Sequence, residues 1–120
     1  MLTRVGMVLC ILFVLTGVAE AHGSKPGYDE QKSCAQRGGK YEQVGMFASW
    51  ACVIPYPDGG RICSDDSQCK GGCIFEFGGG GSEPKKGDRT SGICQRTDEQ
   101  FGCIAHVKNG RLVDDGLCAD

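Results

Sequence analysis

This sequence lacks charge of one sign, long apolar runs in its body and the usual marks of catalysis. Lys and Arg number 13 against 15 Asp and Glu, a formal net charge of −2. Such a balance creates no field that would gather nucleic acid or an anionic membrane surface. No C-x-x-C pair occurs, which removes the usual arrangement of a thiol redox catalyst. No G-x-S-x-G elbow is present for a serine nucleophile, and no EF-hand pattern of alternating oxygen ligands is present for calcium. Large apolar side chains are thinly spread after residue 22, so few segments could bury a long continuous face.

The one long apolar run lies at the start. Arg4 precedes residues 5–18, and Ala19-Glu20-Ala21 follows with small residues at both recognition positions. That is the layout of a secretory signal peptide, 1–21. The run is shorter than the ~18–20 residues a spanning helix needs, so no membrane span is expected after cleavage. Cys10 follows Leu9 rather than a small residue and reads as a passenger of the signal. A secreted or periplasmic chain beginning at His22 is the expectation, with its charge balance unchanged because Arg4 and Glu20 leave together.

What is present is cysteine and glycine. Eight cysteines follow the signal: Cys34, Cys52, Cys63, Cys69, Cys73, Cys94, Cys103 and Cys118. An even number at this density in a short exported chain reads as four disulfides. The cluster ICSDDSQCKGGC has the spacing Cys63-x5-Cys69-x3-Cys73, with no matching second pair and only His106 as an internal histidine, so structural staples are expected rather than a metal or redox centre. A bridge closing a loop of ~15 residues offsets roughly 3 kcal/mol of chain entropy, which a glycine-rich chain needs. The pairing expected is Cys34 with Cys52 and Cys103 with Cys118, leaving the other four to pair among themselves.

Along the chain, residues 22–33 are polar and aperiodic and read as a flexible N-terminal arm. Residues 34–120 form the single disulfide-rich domain, mainly β-hairpins with long irregular loops and little helix. Gly38-Gly39 marks a turn. Pro57-Asp58-Gly59-Gly60 is a strong turn signal and predicts a hairpin that places Cys52 and Cys63 on opposite faces. Residues 76–92, EFGGGGSEPKKGDRTSG, have nothing to bury and are expected to form an exposed, mobile loop. Residues 52–69 and 103–118 share an order of cysteine, apolar residues, a glycine turn, Gly-Arg-Ile/Leu, a paired aspartate and cysteine, which suggests two copies of one hairpin.

Candidate chemistry is sparse. Asp65-Asp66 and Asp114-Asp115 are paired carboxylates, but adjacent side chains on a turn diverge, and solvated turn residues are expected. Trp50, Tyr41, Tyr56 and Phe47 could make a recognition patch, although Trp50 is expected to fill the core. His22, as a free N-terminus, and His106 together offer three nitrogens of the kind that suit Cu(II). This resembles the histidine brace of copper-dependent polysaccharide monooxygenases, on those two residues alone. No catalytic residue and no cofactor are expected.

The run C-x3-GG-K-Y-x2-VG, then C-V-x-P-Y-P-D-GG-R-x-C-x-D-x-S-Q-C-x-G-x-C, G-x-C and FGC resembles a group of small exported cysteine-rich bacterial proteins of unknown function. The resemblance implies an exported setting and brings no site residues. The C-x5-C-x3-C segment is also similar to clusters in whey-acidic-type inhibitor modules, without their adjacent double cysteine. The expected function is a binding or interaction module, not an enzyme, whose partner is a protein or cell-envelope component. The alternative is an inhibitor of a secreted protease or cell-wall hydrolase, acting through residues 55–60 or 77–92.

Overall fold

The computed structural model describes residues 24–119; the expected signal peptide, 1–21, and His22 lie outside the described residues. The chain is mainly β, with one short helix and four disulfides. Helix α1, Tyr28–Gln36, occupies part of the stretch read as a flexible arm. Its start is specified locally. Glu30 Oε2 accepts from Gly27 N at 2.8 Å, and Asp29 and Glu30 place negative charge on the first turn. Its end is the expected turn: Gly38, at φ 80°, donates to Ala35 O, and Gly39 N donates to Cys34 O. Nine residues are too few for a helix to persist alone in water. The buried Cys34, bridged to Cys52, holds it down.

Strands β1, Lys40–Val44, and β2, Ser49–Val53, form a two-stranded antiparallel ribbon with Tyr41 opposite Cys52 and Gln43 opposite Trp50. The second sheet contains β3 (Ile62–Cys63), β4 (Cys73–Glu76), β5 (Gly92–Cys94), β6 (Gly102–Lys108), β7 (Arg111–Leu112) and β8 (Leu117–Ala119). Its order is β3-β5-β4-β6-β7, with β8 also pairing β6. One face carries the core: Cys63, Cys73, Cys94, Ala105, Val107 and Leu112, flanked by Cys69, Phe75 and Phe77. Phe75 and Phe77, two residues apart on one strand face, meet edge to face at 5.2 Å between centroids.

Three local expectations are corrected. The turn at residues 57–60 forms, with Gly59 N bonded to Tyr56 O, but it closes no hairpin between β2 and β3. β2 is already paired with β1, and the chain beyond it runs instead against residues 94–98. There Pro55 bridges Thr97, Tyr56 N donates to Arg96 O at 2.8 Å, and Gly60 N donates to Cys94 O at 2.8 Å. Gly59 makes this approach possible, because a Cβ there would stand 2.7 Å from Arg96 Cα. The two apparent hairpin copies therefore differ. Residues 103–118 form a hairpin turning at Asn109-Gly110, both left-handed, and are closed by their own bridge. In residues 52–69, Cys52 and Cys69 bond elsewhere.

The loop 76–92 also divides. Gly78–Gly81 have open space at every Cβ position. The later half is fastened to β7: Gly87 N donates to Leu112 O, Leu112 N to Asp88 O, and Thr90 N to Gly110 O, at 2.8–3.0 Å. The apolar count could not reveal this, because the fastening is made by backbone groups, whose pairing does not depend on side-chain hydrophobicity.

Gly92 marks the tightest point of the sheet. A Cβ at this residue would collide with Ile74 O and stand 3.0 Å from Cys73 Sγ. Gly92→Ala is expected to cost about 1–3 kcal/mol in chemical unfolding. Gly79→Ala, which meets open space, should stay within about 0.5 kcal/mol of the parent. Equal stability of the two variants would contradict this packing.

Candidate functional site

The paired aspartates are not freely solvated; they tie loops together. Asp65 Oδ1 accepts from Ser67 N at 3.0 Å and Ser67 Oγ at 2.6 Å, capping a short 3-10 turn over Asp66–Gln68, while its Oδ2 accepts from Asn109 N at 2.9 Å. Asp66 Oδ1 accepts from Cys73 N at 2.8 Å and lies 3.1 Å from His106 Nδ1, with Lys108 Nζ 3.4 Å from Oδ2. Asp115 accepts from Lys86 N at 3.0 Å, and Asp114 from Gly116 N at 3.0 Å. Asp58 and Asp98 do the same for Lys70 N and Ile54 N, at 2.8 and 2.7 Å. Each bond satisfies a backbone donor that these short strands leave without a ladder partner.

Electrostatics follows the same contacts. The Ser67 hydroxyl, with the Asn109 and Ser67 amides, holds the Asp65 carboxyl down at about 2. For Asp66, burial pushes upward, but the His106 ring, the Cys73 amide and Lys108 together outweigh it, so its carboxyl is lowered overall. Gly72, at φ 95°, gives the His106–Asp66 pair its room: a Cβ there would be 3.2 Å from Asp66 Oδ1 and 3.6 Å from the imidazole.

His106 is thus an oriented imidazole, its Nδ1 on Asp66 and its side chain 41% exposed. Among the described residues no hydroxyl or thiol is hydrogen-bonded to it, so the arrangement orients a ring without activating a nucleophile. Its expected copper partner, His22, lies outside the described residues.

All eight expected cysteines are bridged: Cys34–Cys52, Cys63–Cys73, Cys69–Cys94 and Cys103–Cys118. The two pairs chosen from the sequence are present, and the remaining four pair among themselves. Sequence could not decide which, because Cys63, Cys69, Cys73 and Cys94 converge at the centre of the sheet. Four bridges mark a chain that matures in an oxidising compartment. No helix among the described residues is long and apolar enough to cross a membrane.

The four aromatics do not form one patch. Trp50 and Tyr41 are half-buried on the ribbon, and Trp50 takes no part in the core. Tyr56 packs on Gly71, where any Cβ would strike its ring. Phe47 stands apart. It is 82% exposed and its neighbour Met46 72%, both in the turn between β1 and β2, closed by Ala48 N to Gly45 O. This tip belongs to residues 43–57, which carry no charged side chain. That uncharged run around Val-Gly-Met-Phe-Ala is the signal from which the tip could have been located. By contrast, residues 55–60 are clamped to 94–98, and 85–90 to β7, so neither presents a free loop.

Asp65 supplies a test of the loop ties. Its carboxyl in the fold takes a proton only near pH 2, whereas in the unfolded chain it does so near ~3.9. Its stabilisation is therefore complete above about pH 4 and is lost as pH falls toward 2. Urea unfolding between pH 5 and pH 2 should show a smaller acid loss for Asp65→Asn than for the parent. Parallel pH profiles would remove Asp65 from this role.

No family model, no curated protein and no solved structure matches this chain.

Proposed function

We propose that this chain is an exported, disulfide-stabilised binding module, not an enzyme, that recognises a protein partner through the Met46–Phe47 tip. One observation carries the reading: two adjacent large apolar side chains, 72% and 82% exposed, stand at the end of an uncharged ribbon. Aromatic and Met side chains supply much of the energy of protein interfaces, and Met adapts its shape to the pocket it enters. The base of the ribbon is clipped to α1 by Cys34–Cys52, and its exit is pinned where Ile54 exchanges hydrogen bonds with Asp98. A tip held in this way loses little freedom on docking.

The chemistry calls for a partner with an apolar concavity and an uncharged rim, on a protein of the cell envelope or the surrounding medium. Export through residues 1–21 places the chain where its bridges form. Inhibition of a secreted protease or cell-wall hydrolase is the same geometry with an enzyme cleft as the concavity. It would use the tip rather than residues 55–60, which are held against the sheet.

A photoreactive residue at position 47 is expected to give a saturable protein adduct in the native envelope or secreted fraction. The same probe at position 79, in the open glycine stretch, should give none. Excess parent chain should suppress the adduct. The double variant Met46→Asp/Phe47→Asp should compete at least ~30-fold less well, as expected when about 2 kcal/mol of hot-spot energy is lost. Equal competition by parent and double variant would discard the tip as the recognition element.

A further inference from the structure

The bridges at the centre of the sheet have a geometry that serves a second purpose once they are opened. The Sγ atoms of Cys63, Cys69 and Cys94 all lie within 4.8 Å of one another. Cys73 Sγ is bonded to that of Cys63, so it belongs to the same cluster. Four sulfurs therefore meet from β3, the end of the 3-10 turn, β4 and β5. The other four cysteines are divided between two outlying bridges, each able to offer only two sulfurs to any one point.

We propose that in the reduced chain Cys63, Cys69, Cys73 and Cys94 form a tetrathiolate site for one zinc ion. The chain then exists in two forms with one sheet register, bridged or metal-bound. Zn–S bonds of ~2.3 Å in a tetrahedron put sulfurs about 3.8 Å apart. The cluster already spans that scale, and opening each bridge requires only that bonded sulfurs separate by side-chain rotation.

The scaffold that positions the ligands does not depend on the S–S bonds. Cys73 N is held by Asp66 Oδ1 at 2.8 Å, Cys69 N by Asp66 O at 3.2 Å, and Cys94 N by Arg61 O at 2.8 Å. Cys73 and Cys94 face each other in the register of β4 and β5, and Gln95 N donates to Gly72 O. Burial suits a closed structural site: Cys63, Cys73 and Cys94 are 0–4% exposed. Cys69 alone is half-buried, and it is the sulfur that a reductant or metal reaches first. The spacing Cys69-x3-Cys73 matches the close ligand pair usual in zinc sites. The second pair, Cys63 and Cys94, is assembled only by the pairing of β3 with β5.

The chemistry balances. Two molecules of a dithiol reductant each give two electrons and two protons, turn one bridge into two thiols and close their own disulfide. The four thiols release four protons as Zn²⁺ binds four thiolates. Oxidation of the two pairs reverses the sequence and expels the ion.

The test uses the full chain from residue 22, reduced with excess dithiothreitol without air, desalted anaerobically and titrated with Co²⁺ and then Zn²⁺. The expected result is one equivalent of Co²⁺ with the intense visible bands of tetrahedral thiolate coordination, displaced by one equivalent of Zn²⁺. Cys34→Ser/Cys52→Ser and Cys103→Ser/Cys118→Ser should keep the full signal, while Cys69→Ser/Cys94→Ser should lose at least ~100-fold in affinity. Reoxidation should release the zinc and restore the parent disulfide map. Weak or multiple binding, six-coordinate cobalt spectra, or equal loss in all three double variants would overturn the proposal, since those are the marks of unspecific thiols on an unfolded chain.

Discussion

The fold depends on the meeting of Cys63–Cys73 and Cys69–Cys94 at the centre of the sheet. Of the eight buried residues that make up the apolar interior, four are half-cystines: Cys34, Cys63, Cys73 and Cys94. The rest are Ile74, Ala105, Val107 and Leu112, too little side-chain surface to order so many short strands by burial alone. Bridges spanning 10 and 25 residues act chiefly on the unfolded chain, removing conformations before any strand pairs. They also demand space, and Gly92 supplies it by carrying no side chain beside Cys73 Sγ.

Around that centre a second device compensates for strands of two to four residues. Asp58, Asp65, Asp66, Asp98 and Asp115 each accept from a backbone amide at least seven residues away. Short strands leave many donors without ladder partners, and a carboxylate is a stronger acceptor than a neutral carbonyl. The His106–Asp66 contact belongs to this network. Its imidazole is oriented in the same way as the loops, by an aspartate whose other bonds are structural.

The ribbon of β1 and β2 stands outside both devices except at its base. Its apolar atoms are not used by the core, which explains why Met46 and Phe47 are exposed while the interior relies on sulfur. A chain short of large apolar residues that leaves two of them on a tip has them available for intermolecular contact. The clip to α1 and the pin at Ile54 keep that tip presented.

Composition and spacing alone carried the scaffold class, the staple role of the cysteines, the glycine turn at Gly38, and the bridges Cys34–Cys52 and Cys103–Cys118. All of these are local or depend on counting, since each of those bridges closes a short loop around a strand pair. Helix α1 escaped because its signals are a reach-back carboxylate and a bridge rather than an apolar stripe. The tip was hidden because an apolar residue reads the same in sequence whether it faces a core or a partner. The choice between hairpin and crossover at residues 57–60, the pairing of the four central cysteines and the docking of residues 85–90 on β7 were decided only in three dimensions. Each depends on contacts between segments distant in sequence, such as Arg96 with Tyr56 or Gly92 with Ile74, and no local propensity encodes which distant backbone will arrive.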